Sequence, residues 1–182
     1  MRTLAAVLAL SLALPALAAE VAGVKVPDST TVGGKTLVLN GAGLRTKVFF
    51  KVYVIALYLE ARSSDPVAIV AADAPWKASL TLKREADKKA ILGGFKDGFE
   101  NNSRADLPKL LSALDRVDAI MKDLKTGDVV EFAYLPGTGC TVTASGGGTV
   151  TIEGKTFADG MLRIWLGDKP AQDSLKSELL GK

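Results

Sequence analysis

The sequence predicts an α+β protein in which an antiparallel β-sheet is covered on one side by a layer of helices. Two observations predict it. Segments rich in β-branched and aromatic residues, bounded by glycine-containing breaks, occur at 36–60, 76–82 and 129–153. Stretches with apolar residues at helical spacing separate these segments and close the chain. The 182 residues contain no repeat, low-complexity tract or long linker after residue 20, so one domain over 20–182 accounts for the length.

The first element is an address. Met1-Arg2-Thr3 leads into an uncharged apolar run that ends at Ala19. One basic residue, an apolar run and the small-x-small pattern of Ala16-Leu17-Ala18 have the layout of a secretory signal, with cleavage expected after Ala18 or Ala19. The run is short for a membrane span, which needs roughly 20 apolar residues. No cysteine follows it, so lipid attachment there is not expected. The expectation is a signal peptide over 1–19, export to the bacterial periplasm and no stable membrane insertion after cleavage; a retained N-terminal anchor is the alternative. Removing Arg2 lowers the net charge from +3 to +2, too little for a nucleic-acid footprint.

Thr36 to Asn40 alternates as a short strand, and Gly41-Ala42-Gly43 is expected to turn the chain. Leu44 to Glu60 is strand-like for seventeen residues, too long for one ordinary strand, which predicts a bend or hairpin near Phe49–Lys51. Asp65-Pro66 opens a short helix through about Ala72, and Trp76 to Leu82 alternates as a strand. Ala86 to Phe99 places Ala90, Ile91, Leu92, Phe95 and Phe99 at helical spacing despite Gly93-Gly94. A second helix is expected from an Asp106 cap, with Pro108 in its first turn and an inner stripe from Leu110 to Leu124, ended by Thr126-Gly127-Asp128. Val129–Tyr134, Cys140–Ala144 and Thr149–Glu153 read as antiparallel strands, the last two joined through Gly146-Gly147-Gly148. Phe157–Leu166 and Ala171–Leu180 are the closing helices.

The chain has no histidine and one cysteine. Ser-His-Asp and Cys-His catalysis, an HExxH zinc site and an intrachain disulfide are therefore excluded. No metal or cofactor is expected. The triple glycine lacks the GK[ST] sequence of a phosphate loop, Lys88, Lys89 and Lys96 fit a solvated helix face, and Cys140 fits a small buried hydrophobe. Arg45, Arg84 and Arg163 stand among apolar residues, where a guanidinium needs a carboxylate, carbonyls or an anionic ligand. For each, an internal salt bridge or snorkelling to water is the structural alternative. Tyr53 and Tyr58 lie in the same apolar strand and also need partners if buried. Arg45 and Tyr53 would lie roughly 26 Å apart on a straight strand. A hairpin between them would make them cross-strand neighbours on one face.

The segment LNGAGLRTKVFFKVYVIALYLE, with LRIWLGDKP near the C-terminus, resembles the chalcone isomerase superfamily, in particular its bacterial chalcone isomerase-like branch. The resemblance covers about 24–180 and implies an open-faced β-sandwich with a cleft between sheet and helices. The superfamily includes isomerases that close a flavanone ring and non-catalytic fatty-acid binders, both with an arginine where this chain has Arg45. Lys51-Val52-Tyr53 matches the tyrosine setting of the binders. The isomerase threonine is replaced by Tyr53, its tyrosine and asparagine fall near Ala86, Asp87 and Gly93 or Gly94, and a late Ser/Thr becomes Ile164. The resemblance thus implies that Arg45 and Tyr53 anchor a small amphipathic acid, such as a fatty acid, with Phe49, Phe95, Phe99 and Trp165 as apolar walls. One alternative is an isomerase or intramolecular lyase in which Arg45 stabilises an enolate or phenolate. Another is an unliganded interaction module with Arg45 in an internal salt bridge.

Overall fold

A computed structural model describes residues 19–182. The expected signal peptide lies outside the described residues apart from Ala19, the first residue of β1 (Ala19–Val21), which pairs with β2 (Val24–Val26). Seven further strands form one antiparallel meander: β3 (Ser29–Val32), β4 (Lys35–Lys47), β5 (Phe50–Leu59), β6 (Trp76–Leu82), β7 (Val129–Leu135), β8 (Gly139–Ala144) and β9 (Thr149–Ile152). Each strand lies beside its neighbour in sequence, and the connections from β5 to β6 and from β6 to β7, residues 60–75 and 83–128, are long enough to carry helices.

Period-2 alternation sorts side chains between the two faces of the sheet. On β5, Ile55, Leu57 and Leu59 enter the main core, while Val54, Ala56 and Tyr58 enter a smaller cluster on the opposite face. Trp76, Ala78, Leu80 and Leu82 of β6 extend the first face, as do Val130 and Phe132 of β7. That face is covered by α1 (Pro66–Ala71), α2 (Lys88–Asn102), α3 (Leu107–Asp118) and α4 (Thr156–Leu166). α4 is the innermost, with Phe157, Met161, Leu162 and Trp165 each 2% exposed or less. Phe132 meets the edge of Phe95 at 5.5 Å and Trp165 at 6.2 Å, joining sheet, α2 and α4. The second face is not bare: Val21, Val24 and Val26 of the β1–β2 hairpin pack on Leu37, Leu39, Val54 and Tyr58. α5 (Asp173–Leu179) lies along β4 and buries Leu175 and Leu179.

Three local expectations are corrected. Gly41-Ala42-Gly43 is not a turn, because β4 runs straight through it; both glycines face α5, where an added Cβ would meet Glu178. The hairpin expected near Phe49–Lys51 is present, with its reversal at Val48–Phe49 between the paired residues Lys47 and Phe50. The second long helix ends at Asp118 rather than near Leu124. Leu124 instead exchanges backbone hydrogen bonds of 2.9 Å with Ala86, which pulls the segment into an extended bridge. Helix capping also differs by site: Asp65 accepts from Val67 N and Ala68 N, whereas the side chain of Asp106 makes no cap bond. Cys140 is fully buried, and its thiol is pushed up to about 12 by that burial, so it serves as a packing residue.

Candidate functional site

The β4–β5 hairpin sets Arg45 directly opposite Tyr53. Cross-strand partners share a face, and Tyr53 has the same parity as Ile55 and Leu57, so both side chains are directed toward the helix layer. A register shift follows at once between Arg45 and Thr46; such an irregularity re-aims side chains beside a functional pocket.

Arg45 and Tyr53 border a cavity of about 220 Å³ between the sheet and α2. Leu80, Leu82, Val130, Ile91, Phe95 and Ile164 supply apolar walls, and among the described residues the only polar side chains on the lining are Arg45, Lys47 and Tyr53. Ala90 and Gly94 put almost no side-chain volume on the α2 wall. An outer cleft of about 700 Å³ adjoins it and shares Lys47, Val52, Ala86 and Ala90 with the cavity.

The polar end is held by a defined network. Trp165 Nε1 donates to Tyr53 Oη at 2.9 Å, leaving the phenolic proton available for an acceptor in the cavity. Burial pushes the Tyr53 phenol above its usual value of 10.0, opposed by the Trp165 hydrogen bond and the Arg45 charge. Tyr53 therefore stays a donor well into the alkaline range. Arg45 Nη1 donates to the Thr46 carbonyl and to Gln172 Oε1, the latter at 3.1 Å. Gln172 Oε1 also accepts from Thr46 N at 2.9 Å, while its Nε2 donates to Leu44 O at 3.2 Å and Ser174 Oγ at 2.7 Å. Gln172 thus clamps the start of α5 to β4 and fixes the guanidinium from behind. Among the described residues Arg45 forms no ion pair, so the internal salt bridge expected under the interaction-module reading is replaced by neutral oxygen partners. A guanidinium held by neutral groups beside an apolar cavity has the chemistry to pair with an anion.

The other expected site residues divide. Phe95 lines the cavity. Trp165 stands behind it and orients Tyr53 rather than forming a wall. Phe99 is fully buried against Phe157 at 6.1 Å and lines neither cavity nor outer cleft. Phe49 is corrected: it is 93% exposed at the hairpin tip, because the turn breaks the alternation that would have aligned it with Tyr53. Arg84 lines the outer cleft with its guanidinium 4.6 Å from the centre of the Phe50 ring. Arg163 lies 3.9 Å from Asp159 and is absent from both walls. Leu80, Leu82 and Ile91 were not among the expected walls, although their periodicity marked them as inward-facing. Gln172 carried no signal, since 127 residues separate it from Arg45.

The chalcone isomerase-like family model matches residues 18–181. The chain belongs to the chalcone isomerase-like family. Among solved structures it is similar to a fatty-acid binding protein of Arabidopsis thaliana, with a TM-score of 0.67 at 15% identity, covering 87% of this chain and 92% of that one. At that identity the likeness establishes a common fold, an α+β arrangement of antiparallel sheet and helices. No curated protein sequence matches the chain. In this chalcone isomerase-like chain, positions where the resemblance places isomerase polar groups present Ala86, Gly94 and Ile164 to the cavity. Asp87 lines the outer cleft instead.

Proposed function

We propose that the protein binds a small amphipathic acid, such as a fatty acid, with its carboxylate on Arg45 and Tyr53 and its tail in the apolar cavity. The observation that carries this reading is the Arg45–Tyr53 pair at the edge of a cavity whose other walls, apart from Lys47, are apolar. A carboxylate there would accept charge-assisted hydrogen bonds from the guanidinium and a further one from the phenol. The fatty-acid binding activity named for the Arabidopsis protein of the same fold agrees with this choice of ligand. The inner volume lies below about 300 Å³, the lower end for ligand pockets, so it encloses a short tail, and a longer tail would continue into the outer cleft. Residues 1–19 would act as a signal that delivers the domain to the periplasm.

Native mass spectrometry of protein purified from its own cells tests the reading. A copurifying acid, or saturable one-to-one binding in a titration with acids of increasing chain length, is expected. Protein that carries no acid and binds none of the series would overturn it. The same spectra test export: periplasmic material should begin at Ala19 or Glu20.

The chain has no histidine, arginine as a residue type is always charged, and burial raises the Tyr53 phenol above 10.0. Affinity for a fully ionised acid should therefore stay within about twofold from pH 6 to pH 9, since a twofold change is well under the roughly 1.4 kcal/mol of a tenfold one. Binding isotherms across that range check it; a sigmoidal loss centred near pH 7 would contradict the anchor.

A further inference from the structure

The β4–β5 hairpin ends in Lys47-Val48-Phe49-Phe50-Lys51. Among the described residues, the large hydrophobic side chains left exposed are Val48 at 79%, Phe49 at 93%, Phe50 at 59% and Val67 at 75%, so three of the four are consecutive at this tip. Scattered apolar residues on a surface need no explanation, but a contiguous exposed cluster marks an interaction site. The backbone gives a second, independent sign. Val48 has φ +57°, a conformation in which a β-branched residue is a true outlier and hairpin turns favour glycine. Local turn chemistry has been overridden to hold a large apolar side chain in water, and such violations concentrate at functional positions.

The rim indicates the occupant. Lys47 and Lys51 flank the apolar run, and Arg84 sits over Phe50. None of these three cations forms an ion pair among the described residues. The outer cleft also holds Glu85, Asp87, Asp123 and Lys125, so the uniformly cationic part is the hairpin with Arg84. Aromatic and aliphatic residues ringed by cations match the boundary between lipid headgroups and acyl chains, where long basic side chains reach back to phosphate.

We propose that the hairpin tip docks on the surface of an anionic lipid bilayer. Val48, Phe49 and Phe50 enter the headgroup–acyl boundary, and Lys47, Lys51 and Arg84 face lipid phosphates. Phe49 and Tyr53 are four residues apart, roughly 13 Å along an extended strand. Interfacial elements sink about 5–10 Å, so docking by the tip brings the Arg45–Tyr53 end of the cavity to headgroup level. An acid could then exchange with the bilayer without crossing bulk water. The docking does not rest on the acid-binding reading; only the exchange does.

Flotation of the full domain with phosphatidylglycerol–phosphatidylcholine vesicles and with pure phosphatidylcholine vesicles tests it. The wild type should float with the anionic vesicles at low salt and much less with the neutral ones. Val48→Gly/Phe49→Ser should reduce partitioning at least tenfold, and Lys51→Glu several-fold. Both changes are at exposed positions and Val48→Gly suits the turn, so an unchanged thermal unfolding midpoint should show that folding is intact. Failure to float with either vesicle, wild-type flotation by the double variant, or equal flotation on neutral vesicles with no effect of Lys51→Glu would overturn the proposal. It is also overturned if the wild type is a dimer without lipid and the double variant a monomer, because the tip would then cover a second copy. Acid titrations without vesicles report the cavity separately.

Discussion

Replacing Arg45 with methionine is expected to weaken acid binding at least thirtyfold while changing stability by less than about 1 kcal/mol. Removing one member of a buried, hydrogen-bonded charge pair costs about 2–5 kcal/mol of binding, and each ~1.4 kcal/mol is tenfold in affinity. The fold loses little, because Gln172 Oε1 keeps its bonds to Thr46 N at 2.9 Å and Thr46 Oγ1 at 3.2 Å. Methionine preserves much of the aliphatic volume and removes only the donors. Tyr53→Phe is the informative contrast. It removes the ligand's second donor and also strips the buried Trp165 Nε1 of its acceptor, so it should lower stability by about 1–3 kcal/mol as well as affinity. Isothermal titration paired with urea unfolding separates the two variants. Wild-type affinity in Arg45→Met would remove the guanidinium from the site, and with it the proposed anchor.

Sequence reading went furthest where one physical signal had one meaning. Strict alternation over Trp76–Leu82 reappears as buried and half-buried residues in turn, since only a strand with one covered face produces it. The Arg45–Tyr53 pair was legible because distance left a single geometry in which both could touch one head group, and the hairpin supplied it. Signals with two meanings misled. Glycine serves both for positive φ and for close approach, and nothing local to Gly41–Gly43 shows that α5 lies on top. The apolar stripe past Asp118 kept its helical spacing, yet Met121 and Leu124 are buried without a helix because Leu124 bonds to Ala86. Phe49 was misplaced by extending a period of two across a turn, where that period no longer holds. Gln172 could not be seen at all: its role depends on which strand α5 lies along, and no local pattern encodes that.

The close approach of α5 to β4 gives Gly41→Ala the largest expected stability effect. Gly41 does not sit at positive φ, so alanine is conformationally allowed and would otherwise help slightly by reducing the freedom of the unfolded chain. What forbids it is α5. A Cβ on Gly41 would lie 2.2 Å from the Glu178 carbonyl oxygen and 2.7 Å from that of Leu179, both backbone atoms that cannot rotate away. The same turn is pinned from the strand by Asn40, whose Nδ2 donates to Leu179 O at 2.7 Å and Ser63 O at 3.0 Å. Relief requires α5 to lift, which would partly withdraw Leu175 and Leu179 from the core. Overpacking costs about 1–3 kcal/mol and sometimes more, and this clash belongs at the upper end. At roughly 2–4 °C per kcal/mol for a chain of this size, Gly41→Ala should lower Tm by about 6–12 °C. Gly43→Ala should lower it less, because its nearest obstacle is the Glu178 carboxylate, which can swing aside once its 3.2 Å bond from Leu44 N is given up. Lifting α5 also moves Gln172, so Gly41→Ala should weaken acid binding more than Gly43→Ala does. Thermal unfolding of both variants, followed by titration with the same acid, tests the chain of dependence from strand to helix to guanidinium. Equal Tm values for Gly41→Ala and wild type would mean that α5 does not bear on β4 at this point, and that Arg45 is not positioned through it.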